Sequence, residues 1–509
     1  PDGPVLTFAF LDYTLTPVKG DVLSRLFAII FAIMAFAGGL FAMNQSRVVE
    51  LTAAFVYAGS AIGVAFAGNL ISLFVFWEIM ALGSTTVLLS AGGPKSTSAA
   101  MRYLIMHVMG GSLLLVGIVA QIHATGSIDF VAMKPDSLAT WMILLGFLIN
   151  AAAPLLSAWL PDAYPEASPG GMVFLSAFTT KTAVYVLIRG FPGAEVLIFV
   201  GLYMVFYGIF YALLENDMRR ILAYSIVNQV GFMVTGIGNG TASHAFAHII
   251  YKALLLMSAG SVLHMTGKRK CSDLGGLFQS MPITTLCGII GALSISSFPL
   301  TSGFISKSMI PQAAANENLM IVWFLLTAAS AGVFLHAGIK FPWFVFFQKD
   351  SGLRPPDPPL NMRLAMIFFA ALCIGLGVFP GPLYALLPFP VAFVPYTAAH
   401  VLTMLQLLLF SGLAFFIFLP VMKRSLTISL DVDWAYRRLL PHLVGYLVAS
   451  FATVDRELRS TFIGVINKVI NGAFQFVGPK GVLARTLPAG AMVFWAIALL
   501  AGFLVVYLI

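Results

Sequence analysis

The sequence predicts an all-α polytopic membrane protein of about fourteen transmembrane helices, with one long lateral amphipathic helix. Three observations carry this reading. The 509 residues are 60% hydrophobic and 9% charged, whereas a soluble domain is roughly 25% charged. Mean hydropathy is +0.95. The chain also divides into apolar runs of about the ~20 residues that a helix needs to cross a bilayer.

In chain order the runs fall near 24–43, 50–68, 70–90, 101–122, 139–158, 172–190 and 195–213. They continue near 221–238, 244–265, 281–309, 320–346, 361–380, 398–421 and 487–508. No soluble domain fits between them, and this composition excludes a nucleic-acid binder or a disordered chain. Loop charge supports the count. Arg47, Lys95, Arg102, Arg219, Arg220, Lys268, Arg269 and Lys270 fall on one side, as do Lys349, Arg354, Arg363, Lys423, Arg424, Arg437 and Arg438. Lys134 and Arg189 are the main exceptions. Basic loops stay cytoplasmic, so both ends of the chain are expected outside. Because the chain begins at Pro1 without a Met, an N-terminal portion is expected to be missing.

The stretch 441–478 differs. Leu443, Leu447, Phe451, Val454, Leu458, Phe462, Val465 and Val469 recur every three or four residues, opposite Asp455, Arg456, Glu457, Arg459, Asn467 and Lys468. That is one apolar stripe on a long helix. Pro441 suits its first turn, and Gly478-Pro479 its stop. It is too polar to span, and is expected to lie along the cytoplasmic interface. It either bridges several spans or is an ordinary surface helix.

Charges at membrane depth are costly and usually functional. Glu78 is the one carboxylate placed clearly in mid-membrane. Lys181 falls near the middle of its span. His244, His248 and Lys252 stack along one face at i, i+4 and i+8. Lys307 follows a break at Phe298-Pro299-Leu300-Thr301-Ser302-Gly303, and such breaks often line hydrated cavities. His336 and Lys340 are four apart, and His107 stands alone. Each has a plainer reading. Lys340 could snorkel to headgroups, Glu78 and Lys181 could form a static ion pair, His248 and Lys252 a packing patch, and His107 a satisfied core histidine. Together they form a row of titratable groups of the kind that stepwise proton passage requires. Cys271, Cys287 and Cys373 match no disulfide or metal spacing. No nucleotide loop, Fe–S pattern or haem motif is present, so no cofactor is expected, and whether the chain is part of an enzyme stays open.

With these residues in hand, the chain resembles the antiporter-like membrane subunits shared by respiratory complex I, Mrp-type cation/proton antiporters and membrane-bound hydrogenases. The matching stretches are FVFWEIM (74–80), AWLPDAYPEASP (158–169), TTKTAVYVLIR (179–189), ENDMRRILAYSIVNQVGFM (215–233), HAFAHIIYKALLLMSAGSVL (244–263) and PLTSGFISKSMI (299–310). The wording around 158–189 and LDVDWAYRR (430–438) looks most like the D-type subunits of Mrp cation/proton antiporters. The resemblance implies two inverted five-helix repeats with interrupted helices, two further N-terminal spans, and a lateral helix. It divides the chain into N-terminal spans 1–90, repeats at about 91–240 and 241–425, a lateral helix region 426–486, and an anchor 487–509.

It also implies roles for single residues. Glu78 matches the intramembrane glutamate, and Lys181 a central lysine. His248 and Lys252 match the helix joining two half-channels, Lys307 the lysine after the second break, and Lys340 a basic position. One position departs: Asn150 stands where the family usually carries a lysine paired with the glutamate, and asparagine carries no proton. The implied function is a proton- or cation/proton-translocating subunit of a multisubunit complex in a bacterial or archaeal plasma membrane. Its partners would be other membrane subunits, the lipid bilayer, and protons with Na+ or K+; nucleic acid would not be one. The alternatives are a transport-impaired scaffold and a stand-alone transporter of an organic solute.

Overall fold

The computed structural model describes residues 2–44, 47–236, 239–420, 431–479, 481, 484 and 488–508. Lys423, Arg424 and the expected boundary at 425/426 lie outside them. The chain opens with an antiparallel hairpin, β1 (Gly3–Phe10) and β2 (Tyr13–Gly20), in a stretch where no element is expected from the sequence. Its alternating Thr14-Leu15-Thr16 pattern is the period of a strand. Asp21 then caps α1 (Val22–Ala42) through a capping box with Ser24.

Helices follow as α2 (Val48–Phe66), α3 (Leu70–Ser90), α4 (Pro94–Thr125), α5 (Leu138–Asn150) and the short α6 (Trp159–Ala163). After these come α7 (Pro169–Leu175), α8 (Thr179–Gly190), α9 (Val196–Leu214), α10 (Met218–Gly236) and α11 (Asn239–Thr266). The chain continues through α12 (Pro282–Ile295), α13 (Ser302–Lys307), α14 (Met309–Asn316) and α15 (Met320–Val333), which runs on as π-helical turns at Phe334–Lys340 and Trp343–Phe347. The first compact unit closes with α16 (Leu360–Val378), α17 (Gly381–Tyr384) and α18 (Ala398–Ile417). Among the described residues, eleven helices, counting Pro169–Gly190 and Met320–Phe347 as one each, are long and apolar enough to cross a membrane. Helices α5 and α12 are shorter.

Two expected continuous spans are broken. The run 139–158 stops being helical after Asn150, and 172–190 is interrupted at 176–178. Within 281–309 the helix stops after Ile295, as the Phe298–Gly303 motif predicts.

The breaks after α5 and α12 are built alike. In the first, Ala152 N–H donates to Ile149 O and Ala153 N–H to Leu148 O; in the second, Ser297 N–H donates to Ser294 O and Phe298 N–H to Leu293 O. This is a Schellman cap, closed by non-glycine residues in the left-handed region: Ala152 (φ 61°) and Ser297 (φ 60°). Three residues on, Leu155 (φ 72°) and Leu300 (φ 67°) repeat the conformation, each after a proline. Left-handed backbone costs a non-glycine residue about 1–2 kcal/mol, so its recurrence at matched sites is not chance.

A second recurrence agrees. Leu70 N–H, at the start of α3, donates to Ile128 O past the end of α4; Met218 N–H, at the start of α10, donates to Arg269 O past the end of α11. Five crossings separate the starts of α3 and α10, so equivalent helices run in opposite senses. The chain thus contains an inverted repeat.

Helices α9 and α10 approach most intimately. A Cβ at Gly208 would lie 2.6 Å from both Asn228 N and Tyr224 O, and one at Gly231 would lie 2.7 Å from Gly201 O. Small residues let backbones close up where hydrophobic burial offers no drive.

The second unit, Trp434–Ile509, holds α19 (Leu440–Val477) and α20 (Ala489–Leu508). Helix α19 matches the expected 441–478: Pro441 sits in its first turn and Gly478 ends it. At 1.5 Å per residue it is about 57 Å long.

Gly208→Val should push α9 from α10. Overpacking of this kind costs about 1–3 kcal/mol, so Tm in detergent should fall, and an unchanged Tm would contradict the close contact.

Candidate functional site

The interruptions place the charged groups. Where the chain leaves α7, Ser176 O loses its helical partner. Lys181, in the first turn of α8, donates to it from Nζ at 2.8 Å, and to Thr180 Oγ1 at 3.0 Å. Lys181 is fully buried. Beside it Tyr57 of α2 and Thr179 form a tight pair: Thr179 N–H donates to Tyr57 Oη at 2.8 Å, and their hydroxyls are 2.6 Å apart. Tyr103 of α4 donates to Ser84 Oγ at 2.9 Å. His107, one turn further, stacks on Tyr103 with ring centroids 3.9 Å apart. The core-histidine reading of His107 holds in part, because Nδ1 sits 2.9 Å from Tyr103 O while Nε2 has no partner.

Glu78, on α3, is half-buried, and its carboxylate rests on Gly111 of α4: a Cβ there would lie 2.0 Å from Oε1. Oε1 has no hydrogen-bond partner. The static ion pair with Lys181 does not form, since that ammonium is engaged by Ser176 and Thr180. Asn150 ends α5 at the first break, fully buried, with both side-chain polar atoms unpartnered. The neighbouring Ile149 O, which already accepts from Ala152 N–H in the cap, also accepts from Trp159 Nε1 at 2.9 Å, so the WLPDA tryptophan is tied to the break.

On α11, His244, His248 and Lys252 are fully buried. His248 and Lys252 have no hydrogen-bond partner. His244 lies with Nε2 3.1 Å from Gln229 Oε1 and Nδ1 3.4 Å from Ser306 Oγ. It therefore joins α10 to α13, next to Lys307. Lys307 Nζ has no hydrogen-bond partner and sits 4.6 Å from the centre of the Phe232 ring, a cation–π arrangement.

Lys340 does not snorkel. It is 4% exposed, and Nζ donates to Ala212 O (3.0 Å), Leu213 O and Glu215 O (2.6 Å). Those carbonyls are the orphans at the end of α9, and a cation is favoured there. The π-helical turn Phe334–Lys340 carries both His336 and Lys340, and such turns frequently occur at functional sites.

The groups form one series along neighbouring helices. His244 and His248 lie on α11 with ring centroids 6.1 Å apart, one turn before Lys252, and His244 reaches Ser306, which precedes Lys307. A buried ammonium without an acceptor carries a desolvation penalty of several kcal/mol, which the neutral amine largely escapes.

Several participants were not singled out from the sequence. Gln229 and Ser306 hold His244, and Tyr57 and Tyr103 bond Thr179, two residues before Lys181. Glu50 is a buried carboxylate accepting from Ser168 Oγ. The Asn228-Gln229 pair inside an apolar helix was a readable signal; the contacts of Ser306 and Thr179 depend on tertiary structure. Among the described residues, no group of His, Cys, Asp and Glu is arranged to hold a metal ion.

The fold and the buried series define a polytopic class of membrane subunit with ionisable side chains inside its helix bundle. The chain belongs to the family described as NADH:quinone oxidoreductase/Mrp antiporter, whose transmembrane model matches residues 67–334. It is 28% identical over 390 residues to the A/B subunit of a probable K(+)/H(+) antiporter of Rhizobium meliloti (strain 1021), a match covering 70% of this chain and 39% of that one. It is also 28% identical over 350 residues to the D subunit of the Na(+)/H(+) antiporter of Alkalihalophilus pseudofirmus, covering 63% and 71%. The chain thus spans well under half the length of the first relative. In fold it is similar to a chain of the membrane-bound sulfane sulfur reductase, an archaeal respiratory membrane complex, with a TM-score of 0.70 at 22% identity, covering 98% of this chain and 91% of that one.

Gly111→Ala should leave Tm nearly unchanged, because the Glu78 carboxyl can swing aside. It should shift the infrared carboxyl band of Glu78, assigned by its loss in Glu78→Gln; an unmoved band would show that the two do not touch.

Proposed function

We propose that this chain is a proton- or cation/proton-translocating subunit of a multisubunit membrane complex. The observation that carries the reading is the connected series of buried, mostly unpartnered Lys and His groups from Lys181 through His248 and Lys252 to Lys307 and Lys340. Glu78 acts as the gate acid and Lys181 as the first relay base. His248 and Lys252 bridge the two repeats to Lys307, and Lys340 leads toward the exit. The relatives named for K(+)/H(+) and Na(+)/H(+) antiport support a monovalent cation as the counter-ion. Asn150 cannot pass a proton, so transfer between Glu78 and Lys181 runs without the usual lysine, through water or the hydroxyls near Tyr103 and Thr179. The basic loops face the cytoplasm of a bacterial or archaeal cell. The repeats run from α2 to α8 and from α9 to Phe347, a division that the paired breaks support.

In the assembled complex, Glu78→Ala and Lys181→Ala should each abolish cation-linked ΔpH formation in membrane vesicles while leaving assembly intact. Undiminished transport in both would end the relay reading.

The second reading is a scaffold. The 38-residue α19 favours it, since a helix about 57 Å long can reach across several spans. Deleting 441–478 should dissociate neighbouring subunits on native gels; a complex of unchanged size would remove the bridging role.

A further inference from the structure

Four buried polar atoms without hydrogen-bond partners converge on one place. Ser297 Oγ, Lys307 Nζ, Ser308 Oγ and His400 Nε2 are all unpartnered, and all four residues line a single cavity of about 90 Å³. Its walls come from the second break, from α13 and α14, from Thr327 and Ser330 on α15, and from His400 and Thr403 on α18. Unpartnered polar groups in a buried space of this size call for water. At ~30 Å³ per molecule in the liquid, the cavity has room for a few. Ser297, the left-handed residue where α12 stops, lies on its wall.

His400 occupies the outer end. It lies in the first turn of α18, capped by Thr397, and is partly exposed even though Nε2 is enclosed. Phe304 and Phe393 flank its ring, with centroids at 4.7 and 6.0 Å. Gln312 lines both this cavity and an adjoining, more open recess of about 620 Å³ bordered by Asn316 and Glu317. Lys307 is the other titratable group on the cavity wall, and no carboxylate lines it among the described residues.

We propose that this cavity is a hydrated chamber in which His400 passes protons between Lys307 and the membrane face where α18 begins. The imidazole takes a proton from chamber water at Nε2 and releases one to bulk water from Nδ1, or the reverse. The Lys307 amine gains or loses its proton through the same water. No net bond change remains after the ring reorients. This inference rests on the relay reading above and extends it to a helix outside both repeats.

The test uses the assembled complex in membrane vesicles, with ΔpH followed by a pH-sensitive dye after adding Na+ or K+. Lys307→Ala, His400→Gln and His400→Ala are compared. The proposal expects His400→Gln and His400→Ala to slow ΔpH formation by roughly 100-fold, the low end of what a positioned proton-transfer group contributes. It also expects free imidazole to restore the rate in His400→Ala, which no purely structural role of His400 would allow. If Lys307→Ala abolishes transport while both His400 variants match the parent, the chamber is not the route. The chamber is equally excluded if His400→Ala is slow and imidazole does nothing. If Lys307→Ala itself transports normally, the relay reading fails, whatever His400 does.

Discussion

Inside a bilayer every backbone polar group must find a partner within the protein, and this chain breaks that rule locally and then repairs it with side chains. The carbonyl of Ser176, freed where α7 ends, is taken by Lys181. The carbonyl of Ile149, held by the cap of the first break, takes a second donor from Trp159. The three carbonyls that end α9 are taken by Lys340. Interruption and cation are thus one device. The broken helix supplies acceptors at membrane depth, and they fix an ammonium that hydrocarbon would exclude. Where no acceptor is supplied, as at Lys252 and Lys307, the charge depends on its neighbours and on water.

The inverted repeat gives this device two copies of unequal chemistry. Both breaks carry the same cap and the same pair of left-handed non-glycine residues. The first opens beside Asn150, which cannot ionise, and the second leads into Lys307. The first half keeps its acid, Glu78, resting on the bare backbone of Gly111. One backbone plan therefore serves a half organised around an acid and hydroxyls, and a half organised around lysines and histidines.

Much of this was legible in the sequence, for reasons that differ by element. The 3.6-residue stripe of 441–478 located α19 within a residue at each end, because a long amphipathic pattern with Pro and Gly stops leaves little freedom. Pro299 between apolar runs gave away the second break. The first break was hidden: Ala151-Ala152-Ala153 reads as good helix, and Pro154 alone does not say that the helix ends four residues earlier. The hairpin before α1 carried an alternating pattern too short to separate from a loop. Glu78, Lys181, His248, Lys252 and Lys307 stood out because ionisable groups are rare in apolar runs. Gln229 shared that rarity and was passed over because it is neutral. No local signal reveals that Lys340 caps another helix, since its partners lie more than a hundred residues away.

Helix α10 has a consequence for how the chain is made. It falls outside the eleven apolar helices; two arginines sit in its first turn, and Asn228 and Gln229 in its middle. The two amides find partners on its neighbours: Asn228 donates to Val205 O of α9, and Gln229 meets His244 and Tyr251 of α11. A segment that polar does not leave the insertion machinery for lipid by itself. It has to wait beside α9, whose glycines form the groove that receives it, and stay there until α11 emerges. The order of biosynthesis is therefore constrained by the same side chains that later hold His244 of α11.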